Sequence, residues 1–176
     1  GVKMLLKGQA LMPDLAVVDP SLGVSSPKSI TAYTGLDALT HAVESYTSRR
    51  AQPLTDSLSL AAVKRIFKYL VRAYNDGGDL EARGEMSIAA LEAGISINNA
   101  SVTLVHGMSR PIGAMFHVPH GLSNAMLLPD CIEFACCAAP DRFAELARIA
   151  GVAAPHTEDA VAAELFVEAL REICRQ

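Results

Sequence analysis

Apolar residues recur every three or four positions through most of this chain, and the repeat is interrupted at a few glycines and prolines that mark element ends. From Pro53 to Tyr74 the spacing of Leu58, Leu60, Ala61, Val63, Ile66, Phe67, Leu70 and Val71 predicts one long amphipathic helix, closed by Asn75-Asp76-Gly77-Gly78. A second helical pattern runs from Leu80 to about Asn98. Ser26 followed by Pro27 is a start signal, because a serine hydroxyl can satisfy a first-turn N–H and proline has none to satisfy. Gly35 then predicts a break between a short helix and the one carrying Asp37. Pro111 predicts the end of a helix holding His106, and Pro129 predicts a bend or an end in one that begins near His120. Helices over 138–151 and 158–175, with Gly151 as a C-terminal stop, complete the pattern.

The period changes only near the start. Met4 to Asp19 reads as two short extended segments separated by Pro13, with Leu15-Ala16-Val17-Val18 as a buried strand ended by Asp19-Pro20. The expected organisation is a short β or linker segment over 1–22 followed by a helical domain over 23–176. No internal repeat or low-complexity tract divides it further.

Four side chains stand out against this background. Asp37 and His41 are four apart, so a helix projects both from one face. His106 and His120 lie far along the chain, each beside a glycine that lets backbone approach closely. One carboxylate and three imidazoles make a mixed oxygen and nitrogen donor set, which suits Fe(II), Zn(II), Co(II) or Ni(II) better than Mg or Ca. Any single histidine in a helix is more often a hydrogen-bonded core or surface residue, so the metal reading rests on the four taken together.

Three stretches carry a family resemblance. Thr34-Gly35-Leu36-Asp37-Ala38-Leu39-Thr40-His41-Ala42-Val43-Glu44, then Val105-His106-Gly107-Met108, then Pro119-His120-Gly121-Leu122-Ser123-Asn124-Ala125 with Leu127-Leu128-Pro129 resemble the iron-containing alcohol dehydrogenase family, over about Lys3 to Gly151. The resemblance implies a mainly α fold, the helical metal-binding domain of dehydroquinate synthase-like type, with a short N-terminal β segment. It assigns Asp37, His41, His106 and His120 to the metal, Fe(II) or Zn(II). It implies a metal-dependent oxidoreductase that interconverts alcohols and aldehydes with NAD or NADP. The alternative is a non-catalytic metal-binding or subunit-interaction module derived from such an enzyme. Family members carry an N-terminal nucleotide-binding domain, and this chain shows no Gly-rich phosphate-binding turn. The expectation is therefore the metal-binding domain alone, truncated at its C-terminus, with NAD or NADP bound only in a full-length context.

By the same resemblance Lys3 matches a lysine that reaches the cofactor. Arg110 replaces a second histidine, four residues after His106, that many members keep near the nicotinamide. An always-charged guanidinium is a poor proton relay, so Arg110 either binds an anionic group of substrate or cofactor or caps the helix end ahead of Pro111. His117 is the remaining histidine near the motif, a candidate to move a proton in place of the missing one. Asn99 matches a recurrent polar position without a role, and His156 is predicted to lie in an exposed loop.

Composition narrows the partners. The chain has 176 residues, 51% of them apolar, and a formal charge of −4, which fits one domain with a substantial core and gives no basis for nucleic-acid binding. Arg49-Arg50 and Lys64-Arg65-Lys68 fall on helix ends or polar faces. No apolar run reaches the roughly eighteen residues that span a bilayer, and no signal-type segment opens the chain, so a cytoplasmic homo-oligomer acting on a small alcohol or aldehyde is expected, without membrane partners. Cys131, Cys136, Cys137 and Cys174 form no CxxC pair and are expected to be reduced.

Overall fold

One helix is buried on almost every side, and the others pack around it. In the computed structural model, which describes residue 6 and residues 8–176, this is α1 (Lys28–Tyr46). From Leu36 to Tyr46 every residue of α1 is buried except Asp37 and His41. A helix that is apolar nearly all round belongs in a core, and here its one open strip presents the two polar residues singled out by spacing. Around it run α2 (Pro53–Asn75), α3 (Leu80–Asn99), α4 (Leu104–Phe116), α5 (His120–Cys136), α6 (Pro140–Ile149) and α7 (Asp159–Arg175). Helices α2 and α3 pair with each other and with α1, α5 bridges α1 to α4 and α7, and α6 closes on α7. Leu39, Val43, Ile66, Val105, Leu128 and Phe166 meet in a single apolar cluster to which all seven helices contribute.

Local chemistry explains the boundaries. Gln52 and Thr55 form a reciprocal cap at the start of α2, and Asp79 accepts from the Ala82 N–H at the start of α3. Gly151, at φ +77°, ends α6 as predicted, with its own N–H on the Arg148 carbonyl and the Val152 N–H on that of Ala147. The cap of α1 is Pro27 itself, one residue later than the expected Ser26.

Three predicted interruptions are not breaks. Helix α1 runs through Gly35, where an added methyl would strike Leu70 and lie 3.1 Å from the Met86 Cε; the glycine serves close helix packing. Helix α4 continues past Pro111 to Phe116. Pro111 cannot donate to the carbonyl of Gly107, and because both residues are exposed that carbonyl lies on the solvent side. Helix α5 continues past Pro129 to Cys136, and the carbonyl that this proline leaves without a helical donor, that of Ala125, accepts from the Cys174 thiol at 3.7 Å.

The N-terminal β segment is also corrected. Among the described residues there is no strand; single 3-10 turns occupy Gln9–Leu11 and Pro20–Gly23, and Leu15 and Val17 are 79% and 80% exposed. A strand needs a neighbour to pair its N–H and C=O groups, and no described segment pairs with it in that way. Asp19 caps the second turn through the Ser21 N–H and hydroxyl. Lys3 lies outside the described residues. Among the described residues no single helix is long and apolar enough to cross a membrane.

Candidate metal centre

The open strip of α1 faces the starts of α4 and α5, and there the four predicted side chains converge. One donor atom from each of Asp37, His41, His106 and His120 can be chosen so that all four lie within 4.8 Å of one another. The Asp37 Oδ1 is the hub, 3.8 Å from His41 Nε2, 3.6 Å from His106 Nε2 and 3.7 Å from His120 Nε2. The rings of His41 and His106 stack at 4.6 Å, and that of His120 is tilted against His106 at 5.2 Å. A four-coordinate ion with bonds of about 2.1 Å sets its ligands about 3.4 Å apart. The three distances to Asp37 Oδ1 need to contract by only a few tenths of an ångström and the widest donor separation by about 1 Å, and the mixed oxygen and nitrogen donor set suits a single divalent transition metal.

Two glycines beside these histidines behave differently. Gly121 sits where α5 meets the backbone of α1: a methyl there would lie 2.6 Å from the Tyr33 carbonyl carbon and closer still to its oxygen. This contact brings His120 to Asp37. Gly107, in contrast, has nothing within 4 Å of an added methyl, so the close approach expected at His106 is not found.

Burial and charge pull against each other throughout the cluster. Burial alone would raise the Asp37 carboxyl, but the His106 contact, the charges of His41 and His120 and the Asn124 amide hold it below its ordinary value. Burial is also the main force on His41, pushing it down to about 4 with the help of the neighbouring imidazoles, against the pull of Asp37. His106 moves the other way: burial lowers it, and the bonds to Asp37 and Glu44 more than reverse that.

Two further residues belong to the centre and went unremarked in the sequence. Glu44, fully buried, meets His106 Nδ1 on the side away from the cluster. Asn124, also fully buried, sets its amide nitrogen 2.6 Å from Asp37 Oδ1, 3.0 Å from His106 Nε2 and 3.3 Å from His120 Nε2. The amide donates to the Asp37 carboxylate and lies against both ring nitrogens. The signal for Glu44 was available: a carboxylate three residues after His41, on one helix, in otherwise apolar surroundings.

Arg110 and His117 stand apart from the four. Arg110 is half-buried, one turn beyond His106, and no hydrogen bond or ion pair engages its side chain among the described residues. Because α4 continues to Phe116, the helix-end role expected of it has no basis. His117 caps α4 in the left-handed conformation, φ 56°, and is exposed. Asn99 donates to the Ile95 carbonyl at 2.9 Å, His156 lies in an exposed turn, and all four cysteines are free.

Comparisons with known proteins identify the family. The family model described as Fe-containing alcohol dehydrogenase family, C-terminal, matches residues 31–176. The chain is 42% identical over 170 residues to the probable alcohol dehydrogenase EutG of Escherichia coli strain K12, covering 96% of this chain and 43% of that protein. It is 38% identical over 169 residues to the NAD-dependent methanol dehydrogenase of Bacillus methanolicus, covering 96% of this chain and 44% of that one. Its fold is similar to that of the solved alcohol dehydrogenase from Oenococcus oeni, with a TM-score of 0.87, 41% identity, and coverage of 89% of this chain and 41% of the other. The chain therefore spans less than half the length of the relatives it matches.

Proposed function

Because the chain belongs to the iron-containing alcohol dehydrogenase family, we propose that it supplies the metal centre of an NAD(P)-linked oxidoreductase acting on small alcohols and aldehydes. Asp37, His41, His106 and His120 are the ligands. The observation that carries this reading is the convergence of these four donors, from three helices, around one carboxylate oxygen. A metal held there supplies Lewis-acid polarisation of a substrate oxygen, and Fe(II) or Zn(II) suits the donor set.

The chain's own residues prepare the chemistry. Glu44 turns the His106 ring, and Asn124 restrains the Asp37 carboxylate from the opposite side to α1. The buried flank of α1 excludes water behind the ligands, while partial exposure of Asp37, His41 and His120 leaves one side open to substrate. Arg110, on that helix α4 and without a protein partner among the described residues, is placed to attract an anionic group of substrate or cofactor, and His117 is a candidate proton carrier at the far end of the same helix. Lys3 remains the proposed cofactor contact.

The relatives support NAD or NADP as the redox partner, since one of them is named for NAD dependence. Chelation of metal from the full protein should abolish alcohol-dependent reduction of NAD(P), and Fe(II) or Zn(II) should restore it. Undiminished turnover after complete metal removal would contradict the proposal.

A further inference from the structure

Glu44 performs two tasks with one carboxylate. Helix α4 starts at Leu104 after Thr103, and no side chain of its own caps it. Its first-turn donors turn instead to Glu44 on α1. Oε1 accepts from the Val105 N–H at 2.8 Å, from the Thr103 hydroxyl at 2.9 Å and, more weakly, from the His106 N–H at 3.4 Å. A carboxylate at this end also complements the positive pole of the helix dipole. The second oxygen, Oε2, meets His106 Nδ1.

The second task follows from donor and acceptor counting. An ionised carboxylate only accepts, so a ring nitrogen facing it must carry the proton. With the proton on Nδ1, the lone pair of His106 is on Nε2, and Nε2 is the atom turned toward Asp37 at 3.6 Å. The same carboxylate that fixes where α4 begins also selects which nitrogen of His106 is free to ligate. A buried, unshared carboxylate is costly, and here all the donors that repay it come from Thr103, Val105 and His106.

We propose that Glu44 is a positioning residue for the metal centre, setting the tautomer of His106 and the start of α4 together. This rests on the metal reading above. It distinguishes two variants. In Glu44→Gln the amide carbonyl can still accept at the start of α4, but its NH₂ then faces Nδ1, which becomes an acceptor and sends the proton to Nε2. Glu44→Ala removes both the cap and the tautomer control.

The test uses the full chain, Co(II) titration followed by visible absorption, and thermal unfolding in excess chelator. Glu44→Gln should weaken Co(II) binding about 10–100-fold, the range for removal of an outer partner of a ligating histidine, and shift the Co(II) spectrum, while its metal-free unfolding midpoint stays within a few degrees of the parent. Glu44→Ala should lose metal affinity and fold stability together. Parent-like Co(II) affinity in Glu44→Gln would overturn the proposal and leave the metal centre standing. So would a metal-free destabilisation as large as that of Glu44→Ala, which would mark Glu44 as a structural residue only. No Co(II) binding by the parent chain would overturn the metal reading, and this proposal with it.

Discussion

Replacing Gly121 by alanine tests how His120 reaches the cluster. The added methyl would lie 2.6 Å from the Tyr33 carbonyl carbon and 3.1 Å from its Cα. Non-bonded carbons settle about 3.5–4.0 Å apart, so α5 must retreat from α1 by about 1 Å. Both partners are backbone, and no side-chain rotation can absorb the displacement. Overpacking of this kind costs about 1–3 kcal/mol, which for a chain of this size lowers the unfolding midpoint by about 2–12 °C. His120 is adjacent and moves with the helix, whereas metal–ligand distances tolerate about 0.2 Å. Affinity for Zn(II) or Co(II) should therefore fall more than about tenfold. Gly107→Ala is the control, since its methyl meets nothing within 4 Å on an exposed helical turn. Removing a helical glycine there should stabilise by about 0.5–1 kcal/mol and leave metal affinity unchanged. The assay is calorimetric metal titration with thermal unfolding on both variants and the parent. Equal behaviour of the two variants, or parent-like metal affinity in Gly121→Ala, would refute the argument from helix contact.

Two other outcomes follow from single side chains. Burial pushes the Cys174 thiol up to about 11 from a usual value near 9, so the stability its burial contributes is complete below about pH 9 and is lost as pH rises through about 11; iodoacetamide at pH 8 should modify exposed Cys137 readily and Cys174 only on unfolding, and equal labelling of the two in the folded chain would contradict the packing of α7 on α5. Arg110→Ala in the full protein should reduce the preference for a hydroxy acid over a neutral alcohol of equal carbon number by about 1–3 kcal/mol, the worth of a charge-assisted hydrogen bond, and an unchanged ratio of kcat/KM values would remove Arg110 from the substrate side.

Most of the helical architecture was readable because it rests on periodicity. The long apolar repeats of α2 and α3 and the glycine stop after α6 depend on residues near in sequence. Gly35, Pro111 and Pro129 misled for one shared reason: each carries a strong local preference to interrupt a helix, and each is overruled or accommodated by its surroundings. Gly35 yields to the side chain of Leu70, Pro111 to an exposed carbonyl, and Pro129 to the Cys174 thiol, which reaches the freed Ala125 carbonyl from α7. The apolar run Leu15 to Val18 has strand chemistry, but strand formation is a property of two segments, and none of the described ones pairs with it. In the candidate site, the four donors were legible as residue types that seldom gather without a common partner. Glu44 left a signal, a carboxylate three residues after His41 on an apolar helix, but its role and that of Asn124 lie in hydrogen bonds between α1, α4 and α5, which spacing along one helix does not reveal.

The central claim is that one carboxylate and three imidazoles share a single ion. Crystals of the metal-loaded chain, measured at the absorption edge of the added Zn(II) or Fe(II), locate it directly. The account predicts one anomalous peak per chain in the cluster, with Asp37 oxygen and the nitrogens of His41, His106 and His120 at about 2.0–2.3 Å, and loss of that peak in Asp37→Ala and His106→Ala. A peak elsewhere, or one that survives both substitutions, would contradict it.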